Sequence, residues 1–507
     1  MTLQRIVTVP GLLTALAFAV HGAPVPPPEQ LLPADTLLVL AVPDCGKSRA
    51  EWRQSPASQL WNDPSMKAFT EKLWTKVKTD LIEPFEKSAG IKLADYSALA
   101  QGQVTFAVTQ NGWDGVGEAR PGLLLLVDAG SKADTLKTNL AMLRKKWVDS
   151  GKPLKTEKIR EVEFTVLVAS PDDLGKALGA ALGSDTGTAK APGGAEPADK
   201  SAGKLEWIVG QSDSLLIAGN SIKDIEKVLV RQSGGSVAHL AETASFAASF
   251  NAQLRGASAY VWVNAKPLIE TVVKQLARGT GDDAGQPRGP LPGPDRIFAA
   301  LGLTGLQTVA ASVRDTAEGC HIEGRLTVPE SARRGLFKLV AFEAKEAEPP
   351  PFVPVDAVKF NRWRLDLPKA FATLEAMIVE MSPQAAGVIK LLLDNAGKDK
   401  DPNFDLRKSL IGNLGDDVIS YEKAPREQTL EAMGSQPNLI LIASPRAQEL
   451  AASIQALASF MPQRGTKNKE REFLGRKVYA LGLPPAPVPG GGPPVERTLH
   501  YTASGGY

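Results

Sequence analysis

The sequence has few of the residues that most often carry catalysis. Its 507 residues include four histidines and two cysteines, and aromatic residues make up 6%. It has neither a Gly-x-Ser-x-Gly nucleophile elbow nor a His-Glu-x-x-His zinc helix. His239, His321 and His500 lie far apart along the chain, so we interpret them as surface or strand-facing residues. We therefore predict a protein that is not an enzyme, with no catalytic, cofactor-binding or metal-binding residues and no cofactor.

The two cysteines, Cys45 and Cys320, are too few to form a disulfide framework. They pair with each other or remain as two buried thiols, and the sequence leaves both alternatives open. Cys320 and His321 are adjacent in a predicted strand, where successive side chains point to opposite faces. These two side chains therefore do not form a metal site.

The chain also lacks an excess of charge of either sign. It has 58 Lys and Arg residues against 56 Asp and Glu residues. With this balance there is no general attraction to nucleic acid, so we predict no nucleic-acid partner. After the N-terminal segment no stretch is long and apolar enough to span a membrane. We predict no stable membrane span after signal cleavage.

The N-terminal segment has the organisation of a secretory signal. Arg5 supplies the positive charge, and an apolar core follows from Ile6 to Val20. We place the cleavage after Gly22, which makes residues 1–22 a signal peptide. The alternative is a membrane anchor, but a core of about 15 residues is short for a span that needs about 20. The segment predicts an exported protein, periplasmic or secreted.

Composition divides the remaining chain into two lobes. The first covers residues 23–342 and includes two flexible loops at 184–203 and 279–293, which are poor in large apolar residues. A Pro-rich connector at 343–354 leads to the second lobe, residues 355–507. A further Pro-rich loop is predicted at 483–495.

Within the lobes, periodicity predicts alternating strands and helices. Strands are expected at 102–109, with Val104, Phe106 and Val108 on one face, and at 122–129. A helix then places four apolar side chains on one face: Leu136, Leu140, Leu143 and Trp147. A second helix, capped by Ser221-x-x-Asp224, is expected to bury Ile222, Ile225, Val228 and Leu229. Residues 257–276 predict a strand, a turn and a helix, and 306–329 predict a hairpin.

The most informative feature is an internal duplication. Three blocks recur in the same order at a spacing of about 314 residues. The matched blocks are 90–108 with 403–421, 121–143 with 437–459, and 157–170 with 470–484. The fold class is therefore predicted as α+β, with two related lobes of mainly antiparallel sheet and helices packed on one face of each sheet.

The duplication also predicts the organisation of the last residues. The segment 495–507 resembles the first part of 204–219, where a strand is followed by a second strand and a helix. We expect the second lobe to be an incomplete copy that lacks at least that strand and helix. Its sheet is then expected to carry an unpaired edge.

One stretch resembles a phosphate-binding loop, Ala41-x-x-x-x-Gly46-Lys47-Ser48. Asp128, at the end of an apolar run, is its candidate magnesium ligand. However, Pro43 has no N–H to donate, and Asp44 adds negative charge where a phosphate would lie. We therefore interpret the stretch as a strand-to-helix connection with Lys47 in solvent.

Other candidate motifs have simpler interpretations. Ser201-x-x-Lys204 lies at the end of a low-complexity loop, and we interpret this match as chance. The acidic doublets are interpreted as turn or cap residues: Asp172-Asp173, Asp282-Asp283 and Asp416-Asp417. Trp52, Trp61 and Trp74 suit a sugar or peptide groove, but we interpret Trp61 and Trp74 as core or helix-packing residues.

The N-terminal part of the first lobe resembles a known protein family. The residues that carry the resemblance are the segment from Leu31 to Leu73, with Asp63-Pro64-Ser65-Met66-Lys67-Ala68-Phe69, and the later segment from Leu301 to Pro329. They resemble exported bacterial proteins of the domain-of-unknown-function family thirty-three fifty-two. The resemblance covers most of 31–340. It implies an exported bacterial protein without assigned chemistry and transfers no catalytic residue.

Together these features favour an exported, non-enzymatic protein that binds an unknown protein or envelope partner. One alternative is an exported hydrolase whose site is assembled from distant residues. Another is an inhibitor or chaperone-like protein that captures extended peptides at a sheet edge.

Overall fold

The computed structural model describes residues 24–83, 86, 98–117, 119–149, 151, 154–169, 205–279, 292–341, 345–396, 398, 402–424, 438–458, 470–486 and 495–507. The predicted signal peptide and the loop at 184–203 lie outside these residues. So do Ser201-x-x-Lys204 and the doublets Asp172-Asp173 and Asp282-Asp283.

The protein combines α-helices with antiparallel sheet, as the α+β prediction required. Contacts divide it into two units. Unit 1 contains the residues up to Ala265 and Thr308–Leu326, and unit 2 contains Lys266–Gln307 and Thr327–Tyr507. The contacts therefore divide the chain at other positions than the connector predicted at 343–354.

Sixteen strands are found in the described residues. Ten of them form the sheet of unit 1: β1 Thr36–Val42, β2 Val104–Thr109, β3 Gly122–Asp128, β4 Lys155–Ile159, β5 Val162–Ala169, β6 Leu205–Ser212, β7 Leu215–Gly219, β8 Ala259–Asn264, β9 Thr308–Asp315 and β10 Cys320–Thr327. The other six belong to unit 2: β11 Ala357–Trp363, β12 Val418–Lys423, β13 Asn438–Ile442, β14 Glu470–Phe473, β15 Arg476–Ala486 and β16 Val495–Tyr501. β15 includes the first four residues of the loop predicted at 483–495.

The α-helices of the described residues are α1 Pro28–Leu31, α2 Cys45–Gln54, α3 Pro56–Trp61, α4 Lys67–Val77, α5 Ala133–Asp149, α6 Ile222–Gln232, α7 Ala244–Ser249, α8 Ala265–Gly279, α9 Pro294–Ala300, α10 Leu336–Leu339, α11 Leu367–Met381, α12 Pro383–Asn395, α13 Leu406–Ser409 and α14 Ala447–Ala458. Two π-helical turns, Lys78–Ile82 and Phe250–Leu254, continue α4 and α7. None of the described helices is long and apolar enough to cross a membrane.

The sheet of unit 1 has the strand order β10-β9-β8-β1-β2-β3-β7-β6-β5-β4. β7 therefore lies between β3 and β6 and is antiparallel to both. All five residues of β7 are buried. The main core packs α6 and α7 against the centre of this sheet, with Phe246 of α7 edge-on to Trp262 of β8 at 5.2 Å between ring centroids. The predicted strand, turn and helix at 257–276 and the predicted hairpin at 306–329 are confirmed.

The prediction located β2 correctly, but the apolar face that it identified is the less deeply buried one. Val104, Phe106 and Val108 are only half-buried, whereas Thr105, Ala107 and Thr109 are buried. The reason is that Ala107 lies in the same core as Leu124 and Leu126 of the neighbouring β3. In this central strand the smaller side chains lie on the more deeply buried face. Hydrophobicity alone therefore does not identify which face of the strand is buried.

A similar correction applies to the first turn of α6. Ser221 caps this helix by accepting a hydrogen bond from the Asp224 N–H, as predicted. Ile225, Val228 and Leu229 are buried, but Ile222 is exposed and Asp224 is fully buried. The Asp224 carboxylate accepts a hydrogen bond of 2.6 Å from the Thr109 Oγ1 hydroxyl of β2. That contact turns Asp224, rather than Ile222, towards the sheet.

Gly219 lies at the end of β7, where the addition of a single methyl group is expected to change the stability of the protein measurably. A Cβ at this position would lie 2.7 Å from the Leu123 carbonyl oxygen of β3. We expect Gly219→Ala to lower the free energy of unfolding by about 1–3 kcal/mol, because a backbone atom has to move. Urea denaturation measures the change.

The matched control is Gly324→Ala in β10, where an added Cβ meets nothing within 4 Å. Equal effects of the two substitutions on the free energy of unfolding would contradict the close approach of β3 to β7 at Gly219.

Unit 2 contains two three-stranded sheets, β11-β12-β13 and β14-β15-β16, in which neighbours are antiparallel. The first begins with an irregular pairing like that of β1 and β2. In both cases the shift separates two successive pairings: Thr36 with Thr109 and Leu38 with Val108 in unit 1, and Ala357 with Lys423 and Lys359 with Glu422 in unit 2.

The second sheet of unit 2 likewise repeats a feature of unit 1. β4 and β5 are joined by a two-residue turn, as are β14 and β15. The first turn residue has a left-handed backbone in each, with φ of 54° at Arg160 and 52° at Leu474.

Candidate functional site

Four strands of unit 2 have a free edge in the part of the chain that the structure describes: β11, β13, β14 and β16. β13 pairs only with β12, and β16 pairs only with β15. The side chains of β13 are correspondingly open to solvent, with Leu439 43% exposed and Ile440 61% exposed. Leu499 of β16 is 44% exposed. Free main-chain groups next to exposed apolar side chains are the features that bind an added strand.

The last residues bring the ends of these two strands together. Ser504 and Tyr507 exchange two backbone hydrogen bonds of 2.8 and 3.0 Å, which closes a tight turn. Gly505 and Gly506 have φ of 59° and 86°, values that favour glycine. The N–H of Ser444, which follows β13, donates a 2.8 Å hydrogen bond to the Gly506 carbonyl. The turn therefore ties the end of β16 to the end of β13.

Unit 1 contains the same turn, but there it continues into β7. Ser212 of β6 pairs with Leu215 of β7, and the Ala129 N–H after β3 donates a 2.9 Å hydrogen bond to the Ser214 carbonyl inside the turn. In unit 2, Ser504, Gly506 and Tyr507 make the bonds that Ser212, Ser214 and Leu215 make in unit 1. We call the turn Ser504–Tyr507 the closing turn.

An ion pair holds the closing turn through Tyr507. The Asp417 carboxylate accepts two hydrogen bonds from the Arg362 guanidinium, at 2.9 and 2.8 Å, and one of 3.0 Å from the Tyr507 hydroxyl. Arg364 lies 3.3 Å from the same carboxylate. The hydrogen bonds from Arg362 hold the pKa of Asp417 below its usual value, although burial opposes this shift. Burial and the bond to Asp417 raise the pKa of Tyr507.

Comparisons with known proteins do not identify this site. No family model, curated protein or solved structure matches the chain. The site therefore has to be interpreted from its geometry alone.

The predicted strand-to-helix connection at Ala41-x-x-x-x-Gly46-Lys47-Ser48 is confirmed. β1 ends at Val42, and α2 begins at Cys45 with Asp44 as its cap, whose carboxylate accepts the Lys47 N–H at 2.8 Å. The Cys45 and Gly46 N–H groups donate to the carbonyls of Gly102 and Gln101. The N–H groups that would have to bind a phosphate are thus used within the protein.

The two charged residues of that motif also have other contacts. Lys47 is exposed and forms an ion pair with Glu51 at 3.7 Å. The Asp128 carboxylate accepts hydrogen bonds from the Gly130 N–H at 2.9 Å and from the Ser214 hydroxyl at 2.7 Å. Asp128 therefore stabilises the entry to β7.

The structure separates the remaining candidate residues. His239 is mostly buried and lies 3.2 Å from Glu242 through Nε2, whereas His321 and His500 are exposed on β10 and β16. Both cysteines are free; Cys45 is half-buried, and Cys320 is exposed. The prediction of two buried thiols is thus wrong. In the described residues no group of three or more His, Cys, Asp or Glu side chains is placed to hold a metal ion.

Two interpretations of single residues are corrected. Trp61 and Trp74 are exposed on α3 and α4 rather than part of the core. Asp417 is not a turn or cap residue, since it forms the bidentate pair with Arg362. Sequence reasoning missed Arg362 and Tyr507 because both lie far from Asp417 along the sequence, and no local pattern connects them.

Proposed function

We propose that this is an exported, non-enzymatic bacterial protein that binds a partner in the cell envelope. The observation that carries the proposal is the row of exposed apolar side chains on β13, an edge strand of the described residues, with Leu439 43% exposed and Ile440 61% exposed. Exposed apolar side chains on an unpaired strand cost solubility unless they are used for binding.

The two related lobes are part of this proposal. The irregular pairing at the start of β1 and β11 and the left-handed residue between β4 and β5 and between β14 and β15 support a common origin. Arg160 and Leu474 are separated by the same 314 residues as the sequence blocks, as are Thr109 and Lys423.

The sequence of residues 1–22 supports export. The resemblance of residues 31–340 to the domain-of-unknown-function family thirty-three fifty-two supports membership of that family. Arg5 and the apolar core Ile6–Val20 are the features that direct the chain to the periplasm or to the exterior. The affinity for a partner is then used outside the cytosol.

Cell fractionation and affinity capture from the native envelope with a full-length tagged chain test this proposal. We expect the mature protein to begin near Ala23 and to retain one reproducible partner after stringent washing. A matched control carries Arg5→Glu, which reverses the charge required for export. A mature protein that stays in the cytosol, or one that recovers no partner and instead hydrolyses a peptide, ester or glycan panel, would overturn the proposal.

A further inference from the structure

We propose that α4, together with the π-helical turn that continues it, binds an anionic phospholipid surface and lies in the plane of that surface. This inference deepens the proposed function by naming the kind of envelope component that the protein binds, and it rests on export for the place where binding occurs. It concerns residues 67–82, all of which belong to unit 1.

α4 carries an apolar stripe along one face. Its members recur at spacings of three or four residues, which places them on one side of a helix: Phe69, Leu73, Trp74 and Val77. Phe69 is 56% exposed and Trp74 is 58% exposed. No residue of α4 is buried by the described part of the chain. A helix of this length is stabilised mainly by packing of its apolar face, so the stripe is a surface for a partner.

Lysines border the apolar stripe on both sides. Lys72 and Lys76 each precede a residue of the stripe by one position, which places them about 100° to one side of it. Lys67 and Lys78 lie at the other border, seven residues before and four residues after Trp74. Lysine stems in such positions extend along an apolar surface, while their ammonium groups reach the phosphates of lipid headgroups.

The helix keeps a positive charge when its ion pairs are taken into account. Lys67 lies 3.9 Å from Glu71, and Lys76 lies 3.9 Å from Asp80. Residues 67–82 contain four lysines and two acidic residues, which leaves two positive charges in excess. This local charge is complementary to anionic headgroups, although the chain as a whole is close to neutral.

The composition of this face favours a lipid surface over a groove in another protein. Lysine is depleted in protein–protein interfaces, whereas helices that lie in a membrane surface combine lysines with Trp, Phe and Leu. Aromatic rings such as those of Phe69 and Trp74 are enriched at the level of the headgroups. The lysines at the borders of the stripe hold the helix parallel to the surface, with its polar face in water.

Flotation and titration of the purified full-length chain with vesicles test the inference. One set of vesicles contains equal parts of phosphatidylglycerol and phosphatidylcholine, and the other contains phosphatidylcholine alone. We expect the protein to bind the anionic vesicles about tenfold or more tightly than the neutral ones. Added salt is expected to weaken this binding, because it screens exposed charges.

Two substitutions on α4 separate the apolar stripe from the charge. Trp74→Glu and Thr75→Glu each add one negative charge to the same helix, but Thr75 is an exposed residue of the opposite, polar face. We expect Trp74→Glu to weaken binding to anionic vesicles about tenfold more than Thr75→Glu, because only Trp74 enters the apolar part of the surface. Far-ultraviolet circular dichroism of both variants establishes that they are folded.

A third variant tests the charge by itself. Lys72→Gln combined with Lys78→Gln removes two positive charges and leaves the apolar stripe intact. We expect binding to anionic vesicles to weaken by about tenfold or more and binding to phosphatidylcholine vesicles to stay the same.

Equal binding to the two kinds of vesicle, or no binding to either, would overturn the inference. Equal effects of Trp74→Glu and Thr75→Glu would do so as well. A dimer or a protein partner that Trp74→Glu abolishes, in a chain that does not bind vesicles, would assign the stripe to a protein interface and overturn it too.

The vesicle experiment is independent of export. Vesicle binding by a protein that stays in the cytosol would remove the proposed function and keep the lipid-binding helix. An exported protein that retains a protein partner but binds no vesicles would keep the proposed function and remove this inference.

Discussion

Replacement of Asp224 by Ala is expected to lower the free energy of unfolding by about 2–3 kcal/mol, because it leaves the buried Thr109 hydroxyl without its charged acceptor. Asp224 is fully buried and accepts a 2.6 Å hydrogen bond from the Thr109 hydroxyl. It also lies 3.1 Å from the Lys227 ammonium group. Burial alone lowers the pKa of Lys227, but the hydrogen bonds and charges of Asp224 and Asp35 raise it overall. Urea denaturation of the two proteins measures the difference.

Glu226→Ala on the same helix is the matched control. Glu226 is about half exposed and forms an ion pair with Arg160 at 3.6 Å. Exposed pairs contribute about 0–1 kcal/mol, so this substitution is expected to have little effect. Asp224→Asn, which keeps an acceptor for Thr109 but loses the charge, is expected to lie between the two. Equal effects of Asp224→Ala and Glu226→Ala would contradict the importance of the buried carboxylate.

Asp224 also illustrates which structural features a local sequence pattern predicts and which it does not. The pattern Ser221-x-x-Asp224 predicted the start of α6 and its cap, because capping depends on residues within one turn. It did not predict that Asp224 faces the sheet and Ile222 faces solvent. That depends on Thr109, which is 115 residues away along the chain and supplies the hydrogen bond.

The same distinction holds for strands. Alternation and apolar runs predicted β2, β3 and the hairpin of β9 and β10, since a side-chain period of two is a local property. They did not predict that Thr105 and Thr109 would be buried while Phe106 is half-buried. Which face is covered depends on the strands and helices packed against β2.

The candidate site was only partly visible in the sequence. The duplication predicted an unpaired edge in the second lobe, and in the described residues four strands of unit 2 are edge strands, β13 and β16 among them. The anchoring of the turn by Asp417 was not predicted, because Asp417 is 55 residues from Arg362 and 90 residues from Tyr507. Local composition suggested a turn, whereas charge pairing after folding gives Asp417 its role.

Replacement of Asp417 by Asn is expected to lower the free energy of unfolding by about 3–5 kcal/mol, because Arg362 and Arg364 lose a buried partner. The pKa of Asp417 is lower in the folded protein than in the unfolded chain. Its contribution is therefore complete above the ordinary Asp pKa of about 3.9 and is lost as pH falls through the lower folded value. Urea denaturation at pH 7 and at decreasing pH is expected to show this loss in the native protein and a smaller dependence in the variant.

Asp416→Asn is the matched control for this prediction. Asp416 is more exposed than Asp417 and pairs with Lys345 and, at 3.6 Å, with Arg364. Hydrogen bonding from Lys345 lowers its pKa as well, so the acid dependence has the same sign. Solvent screens this pair, and the expected loss of stability at pH 7 is about 1 kcal/mol or less.

Tyr507→Phe separates the contribution of the Tyr507 hydroxyl from that of the ion pair. It removes only the hydroxyl bonded to Asp417 and is expected to lower the free energy of unfolding by about 1 kcal/mol. If Asp417→Asn and Asp416→Asn are equally mild, the carboxylate of Asp417 does not hold the closing turn.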